Sequence, residues 1–196
     1  MILDTAEELF AEQGVQAVSL REINVVAGFS IAALHYHFST RDGVLRALLE
    51  RSQPAMYSRR SVMIEVLMRA ERPAIEDIVD ALVRPMAIPI VEDETRGTRT
   101  LRFLARLYFD RAAQVANDPA DSLKVFLPLL RRALPHLDDA TLIRRWLLTA
   151  EFALHALGNK DNPYYAAILP KASKPQTLEQ YLSQLTKFLA GGLTAA

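Results

Sequence analysis

Side chains that can donate hydrogen bonds to nucleic acid are concentrated in one short part of this sequence. They are arginines, histidines, a tyrosine and hydroxyl residues, namely Ser19, Arg21, Ser30, His35, Tyr36, His37, Thr40 and Arg41. A planar guanidinium matches the O6 and N7 acceptors of guanine, and hydroxyl and imidazole groups commonly donate to phosphate oxygens. The chemistry open to this group is therefore recognition of DNA.

The spacing of the histidines does not favour metal binding or catalysis. His35 and His37 are two residues apart, which places them about 200° apart around a helix, so they cannot converge on one ion. His136 and His155 are isolated, and the sequence has no cysteine, no glycine-rich phosphate loop and no nucleophile motif. We therefore expect no enzyme, no metal and no cofactor.

The elements that must position these donors begin with a short helix. Ser19 and Glu22 form a capping box, which predicts a helix that begins at Leu20. Gly28 favours the left-handed conformation that ends a helix. A helix of about two turns is therefore expected here.

A second short helix is predicted directly after this turn. Ser30 caps it, and Leu34 and Phe38 point inward, four residues apart. The other faces of this helix carry Ile31, Ala32, Ala33, His35 and His37. The two helices and the longer one after them are typical of a helix-turn-helix, whose outward residues would face DNA.

This motif resembles the DNA-binding segment of the tetracycline-repressor family of bacterial one-component regulators. The matching elements are Arg21-Glu22-Ile23-Asn24, Ala27-Gly28, Leu34-His35-Tyr36-His37-Phe38 and Ser39-Thr40-Arg41-Asp42. The upstream segment from Ile2 to Phe10, followed by Gly14, is similar to the first helix of the family. The match covers roughly the first quarter of the chain.

The resemblance implies which residues contact DNA. They are Ser19, Arg21, Ser30, Ile31, Ala32, Ala33, His35, Tyr36, His37, Thr40 and Arg41. Arg21 would read base edges, and the apolar residues would read thymine methyl groups and DNA shape. Two alternatives stay open: Arg21 is a surface arginine paired with an acid, and Tyr36 packs against the first helix.

The resemblance and the helical periodicity together predict an all-α fold of about nine helices. A three-helix DNA-binding headpiece would span residues 1–45, and a ligand-binding and dimerisation bundle would span residues 46–196. A connecting helix from Asp42 to Ala70 would join them, bent or interrupted at Pro54. Pro73 would open the next helix, and the polar segment from Glu92 to Thr98 would be a loop.

Two later helices have clear start signals. Asp138 or Asp139 caps an apolar helix that runs to Gly158. Thr177 and Gln180 form a capping box for a last helix that ends at Gly191.

By resemblance, the bundle would bind a small-molecule effector and form a homodimer. The candidate pocket residues are Met63, Leu67, Leu82, Met86, Leu104, Tyr108, Phe126, Leu130 and Trp146. These residues could equally be plain core. The scarcity of inward charge favours an apolar ligand, although an arginine of the pairs Arg131-Arg132 or Arg144-Arg145 could instead bind a carboxylate. The expected dimer faces contain Leu147, Glu151, His155, Tyr181, Leu182, Leu185 and Phe188.

Composition sets the remaining bounds. The chain has 196 residues, 51% of them hydrophobic, with 23 basic and 23 acidic side chains. No segment approaches the length of a membrane span, and the expected location is the cytoplasm. Up to Arg60 there are six arginines against seven acids, whereas DNA-binding domains usually have a basic face. The acids of the first helix must therefore face away from the DNA if the headpiece binds it.

The function that follows is a homodimeric repressor that binds a palindromic operator and is released by an apolar ligand. The neutral headpiece keeps one alternative open, a helical small-molecule-binding protein that has lost specific DNA binding. A small helical enzyme is a further alternative, for which the sequence offers no candidate residues.

Overall fold

The structure is a computed structural model that describes residues 2–28, 38, 40–109, 119–170 and 176–195. All the regular elements in these ranges are α-helices, in line with the predicted all-α fold. The ten helices are α1 (Ile2–Gln13), α2 (Leu20–Ala27), α3 (Arg41–Arg69), α4 (Ile75–Met86), α5 (Ile88–Glu92), α6 (Glu94–Phe109), α7 (Pro119–Ala133), α8 (Asp139–Gly158), α9 (Pro163–Ile168) and α10 (Leu178–Thr194).

The short helix α2 has the predicted boundaries. Its N-cap is Ser19, whose side-chain oxygen accepts a hydrogen bond of 3.1 Å from the Glu22 amide. Gly28 ends the helix with φ of 69°, a left-handed conformation that glycine adopts at little cost. Ile23 is fully buried among the headpiece helices. The local sequence therefore determines where α2 begins and ends.

The connecting helix α3 is continuous for 29 residues, so of the two outcomes expected at Pro54, a bend or an interruption, the interruption is wrong. A proline inside a helix removes one hydrogen bond, here to the carbonyl of Glu50. Both residues are exposed, and water can replace the missing donor. The turns on either side remain anchored by buried residues, including Leu49 and Met56.

The segment predicted as a loop, Glu92–Thr98, is mostly helical. α6 begins at Glu94, and the Asp93 carboxylate accepts a 2.9 Å hydrogen bond from the Arg96 amide in its first turn. Gly97 lies so close to α5 that a Cβ atom would be 2.2 Å from the Pro89 carbonyl carbon. The polar residues and the glycine thus reflect an exposed helix start and a close helix contact rather than a loop.

Three smaller corrections concern helix ends. Pro73 does not open α4, which begins two residues later at Ile75, with Pro73 buried in the preceding turn. α10 continues past Gly191 to Thr194, and the short helix α9 was not predicted. The caps at Asp138 and at Thr177 with Gln180 are confirmed.

The bundle is organised around three helices. α4 packs against α3, α7, α8 and α10, while α6 packs against α1, α5 and α8. α8 also packs against α10. Because α6 contacts both α1 of the headpiece and α8 of the bundle, it is the element that joins the two ends of the molecule.

Candidate DNA interface and effector region

The start of α2 presents two of the candidate DNA contacts. Arg21 is exposed on the first turn of α2. No ion pair or hydrogen bond involves its guanidinium within the described part of the chain, so the alternative that Arg21 pairs with an acid gains no support there. The Ser19 hydroxyl accepts the cap bond and keeps its own proton available for a phosphate.

The start of α3 presents the next two candidates in a more constrained geometry. The Thr40 hydroxyl oxygen accepts a 3.1 Å hydrogen bond from the Gly43 amide and thereby caps α3. Arg41 donates to the Val15 carbonyl and to Gln16 Oε1, both at 3.3 Å. Arg41 therefore ties the start of α3 to the turn between α1 and α2, and these bonds are long enough for a phosphate to compete with them.

The second helix of the predicted motif lies outside the described residues. This applies to Ser30, Ile31, Ala32, Ala33, His35, Tyr36 and His37. Phe38, at the end of that segment, is described and packs partly buried against the core, as the inward position in the sequence predicts.

The acids of α1 face the rest of the protein. Glu7 is 1% exposed, and its carboxylate accepts hydrogen bonds from Arg51 at 3.0 Å and from the Thr100 hydroxyl at 2.9 Å. Arg51 also donates to Asp4 at 2.7 Å, and Arg99 pairs with Glu8 at 3.2 Å. Three of the four acids of α1, namely Asp4, Glu7 and Glu8, are thus paired with arginines of α3 and α6.

Glu7 and its neighbours form a joint between the headpiece and the bundle. Arg51 lies on α3 and Thr100 on α6, and the rings of Phe10 and Phe103 stack beside them with centroids 6.0 Å apart. Sequence reasoning missed this role of Glu7. The available signal was its spacing, because Glu7 shares one face of α1 with Leu3 and Phe10.

The candidate pocket residues occupy the interior of the bundle. Seven of the nine are buried, and Met63 and Tyr108 are partly buried. The Phe126 and Trp146 rings lie 4.3 Å apart. Two surface clefts are lined by other side chains: one of about 700 Å³ between α1 and α6, and one of about 360 Å³ between α4 and α10.

Five buried side-chain polar atoms have no hydrogen-bond partner among the described residues, and two of them belong to a candidate pocket residue or to a neighbour of one. These two are Trp146 Nε1 and Arg60 Nε. Arg60 lies on α3 with its guanidinium carbon 5.6 Å from the centre of the Tyr57 ring. Burial lowers the pKa of the Arg60 guanidinium, and burial raises the pKa of the Tyr108 hydroxyl. The expectation that inward charge is scarce therefore misses one arginine.

The arginine pairs considered from the sequence have other roles. Arg132 donates to the Ala70 carbonyl at 2.7 Å and closes the end of α3. Arg145 donates to the Leu193 and Ala195 carbonyls at 2.8 and 2.6 Å and closes the end of α10. Arg131 pairs with Asp139 on the surface, and Arg144 is exposed.

Large apolar side chains are exposed on α8 and α10, which pack together. They include Leu148 and Phe152, both 56% exposed, and Phe188, 71% exposed. Leu182 is only 3% exposed, so its prediction as a dimer residue is wrong: it faces the interior of its own protomer. Tyr181 is half-buried, with its hydroxyl donating to the Ala156 carbonyl at 2.8 Å.

Comparison with solved structures shows the class of fold. The probable transcriptional regulatory protein RHA5900 aligns with a TM-score of 0.60 and 16% sequence identity, over 100% of this chain and 98% of that chain. A gamma-butyrolactone receptor (ArpA-like protein) aligns with a TM-score of 0.49 and 20% identity, over 96% and 93% of the two chains. No curated protein matches the sequence. The first likeness establishes a shared all-helical fold.

Family models define the protein further. The model described as "Bacterial regulatory proteins, tetR family" matches residues 2–48, and the model described as "Tetracyclin repressor-like, C-terminal domain" matches residues 80–192. The chain belongs to the tetR family of bacterial regulatory proteins. Members of this family are DNA-binding regulators rather than enzymes. No described helix is long and apolar enough to span a membrane.

Proposed function

We propose that this protein is a homodimeric repressor that binds a palindromic operator through residues 1–45 and is released by a ligand bound within residues 46–196. The observation that carries the proposal is the exposed start of α2, where Arg21 and the Ser19 hydroxyl face solvent, while three of the four α1 acids are paired with arginines of α3 and α6. The positive end of the α2 dipole adds to the attraction for phosphate.

The proposed DNA contacts are of two kinds, contacts to bases and contacts to phosphates, as the chemistry of the side chains predicts. Arg21 would read a guanine, and Ser19, Thr40 and Arg41 would hold phosphates. The segment from Ser30 to His37 would enter the major groove between them. Phosphate contacts fix the register of the protein on the duplex, and base contacts select the sequence.

The proposed dimer interface is the apolar surface of α8 and α10, with Leu147, Phe152, Leu185 and Phe188 as its main residues. Two of these residues, Phe152 and Phe188, are large and more than half exposed in the isolated protomer, on helices that pack together, and large exposed apolar surfaces mark interaction sites. Two-fold symmetry would place the two headpieces on successive major grooves, about 34–36 Å apart.

The proposed release mechanism uses the joint at Glu7. A ligand among the interior residues of α3, α4, α6, α7 and α8 would move α6 relative to α3. Because Glu7 is bonded to both of these helices, such a movement would shift α1 and change the headpiece spacing. A ligand that prefers the shifted state would weaken operator binding, and DNA would weaken ligand binding by the same factor.

The direct test is fluorescence anisotropy with the DNA that flanks the gene of this protein, compared with a scrambled duplex. Arg21→Ala is expected to weaken specific binding by about 1–3 kcal/mol, because a bidentate base contact is lost. Arg72→Ala is the matched control, since Arg72 is exposed beyond the far end of α3. Equal affinity of the wild-type protein for both duplexes would contradict the proposal and favour a ligand-binding protein without a DNA function.

A further inference from the structure

One inward position of α3 carries a charge where the helix pattern requires an apolar residue. Met56, Ile64 and Leu67 are buried on this face of α3, and Arg60 lies on the same face, four residues from Met56 and from Ile64. Its Nε atom is buried without a hydrogen-bond partner among the described residues. The side chain is partly buried as a whole, so Arg60 occupies a position of the core-facing pattern without the chemistry of a core residue.

The surroundings of Arg60 do not neutralise it. The centre of the Tyr57 ring lies 5.6 Å from the guanidinium carbon, a cation–π contact that uses no N–H donor. Besides burial, the groups that affect the pKa of Arg60 are Tyr57 and Tyr108, neither of which is a carboxylate. No carboxylate pairs with Arg60 within the part of the chain that the structure describes.

The buried carboxylate of Glu7 differs from the Arg60 guanidinium in that it has hydrogen-bond partners. The Glu7 carboxylate, at 1% exposure, has Arg51 and Thr100 as partners. Buried polar groups are bonded in the great majority of cases, and an unsatisfied one calls for a functional explanation. The guanidinium of Arg60 is the group to which a missing anion would bind, because its planar donors match a carboxylate in bidentate geometry.

We propose that the effector is an apolar molecule that ends in a carboxylate, with Arg60 binding the carboxylate, the Tyr108 hydroxyl assisting it, and the apolar body lying against Met63 and the adjoining interior of the bundle. This inference rests on the proposed effector function and specifies its ligand class. It replaces the expectation of a purely apolar ligand with an amphipathic one, and it places the ionic contact on the connecting helix, where binding can act on the headpiece.

The test compares acids with alcohols of the same carbon skeleton. Octanoate, dodecanoate and phenylbutyrate would be titrated against octanol, dodecanol and phenylbutanol, with the fluorescence of Trp146, the single tryptophan, as the signal. At least one acid is expected to bind saturably and about tenfold or more tighter than its alcohol, since a charge-assisted hydrogen bond is lost in the alcohol.

Variants of α3 connect this preference to one residue. Arg60→Gln is expected to remove the preference for the acid, and Arg60→Lys to retain part of it, because lysine keeps the charge but not the planar fork. Arg59→Gln, at the exposed neighbouring position, is the matched control and is expected to bind as the wild type does. Thermal unfolding by circular dichroism would verify that each variant is folded.

The outcomes separate this inference from the proposed function. Equal affinity for acid and alcohol, no saturable binding of any of the acids to the folded wild type, or an unchanged preference in Arg60→Gln would each overturn it. Because the fluorescence titration uses no DNA, it gives its result whether or not the operator proposal holds. Release of DNA by a neutral compound, with no binding of the acids, would refute this inference alone.

Discussion

At the scale of single residues, Glu7 of the headpiece and Arg60 of the connecting helix both occupy inward-facing positions, but they differ in their hydrogen-bond partners. Glu7 has two hydrogen-bond donors from different helices, while Arg60 has a neutral aromatic ring beside it. A buried charge with all its partners present fixes the relative position of the helices that supply them. Glu7 therefore serves as a structural joint, whereas for Arg60 we propose a binding role.

Replacing Glu7 by glutamine should destabilise the protein. The amide oxygen can still accept from Thr100, but the ion pair with Arg51 is lost, and the Arg51 side chain is 30% exposed and partly rehydrates. We expect the free energy of unfolding to fall by about 1–3 kcal/mol. Urea unfolding would measure this, with Glu12→Gln, exposed on the same helix, as control. The same small effect from both variants would show that Glu7 is not a joint.

The cap of α8 predicts a dependence of stability on pH. Hydrogen bonds from the Thr141 amide and hydroxyl hold the pKa of Asp138 below its ordinary value of 3.8. The contribution of this carboxylate is present above the unfolded-state pKa and is lost as the pH falls through the folded-state pKa. Asp138→Asn keeps a cap but does not titrate. The wild type should therefore lose stability relative to Asp138→Asn as the pH is lowered below 3.8, and a constant difference in thermal unfolding midpoints would contradict this.

At the scale of elements, the sequence predicts the helix ends that depend on neighbouring residues. It does not predict contacts between residues that are far apart in the chain. The caps at Ser19 and Thr177 involve residues within three positions of each other, so the sequence contains all the information. The roles of Arg132 at the end of α3 and Arg145 at the end of α10 connect residues 62 and 48 positions apart. No sequence pattern identifies such partners. For Glu7 and Arg60, the helical spacing indicates an inward position but does not identify the groups that each side chain meets.

At the start of α6, a contact with another helix explains why the sequence pattern wrongly predicts a loop. A polar segment is typical of a loop, and the segment from Glu92 to Thr98, which contains Gly97, predicts one. The Gly97 backbone instead lies against Pro89 of α5, and the missing Cβ is what allows the two helices to approach. The requirement is visible only when α5 and α6 are placed together.

Gly97→Ala should destabilise this helix pair. The new Cβ would lie 2.2 Å from the Pro89 carbonyl atoms, which belong to the backbone and cannot move alone. We expect a loss of about 1–3 kcal/mol in the free energy of unfolding. At Gly43, in the first turn of α3, a Cβ would make an ordinary contact at 3.5 Å. Gly43→Ala should thus be neutral or stabilising by up to about 1 kcal/mol, and denaturant unfolding in which the two variants behave alike would refute the close-contact explanation.

At the scale of the whole molecule, the formal charge of zero does not describe the surface that would meet DNA. The α1 acids Asp4, Glu7 and Glu8 are directed toward arginines of α3 and α6. Arg21 at the start of α2 has no acid partner within the described ranges. The distribution of charge, which depends on how the helices pack, therefore supports DNA binding more than the net charge does.

The proposed dimer predicts a change of oligomeric state on a single surface. Phe188→Asp and Phe152→Asp, on α10 and α8, should convert the dimer into monomers, because each would bury a carboxylate in an apolar interface. Val66→Asp is the control, at a 62% exposed position on α3. Sedimentation velocity would report the masses. A wild-type monomer, or dimers of all three variants, would place the interface elsewhere.

In the proposed complex, the two headpieces of one dimer occupy successive major grooves of a specific operator. Hydroxyl-radical footprinting on the DNA that flanks the gene would detect this arrangement. We expect two protected patches about one helical turn apart, roughly 10–10.5 base pairs, related by a palindrome and weakened in the Arg21→Ala variant. Uniform weak protection along the duplex, the same in the wild type and in Arg21→Ala, would contradict it.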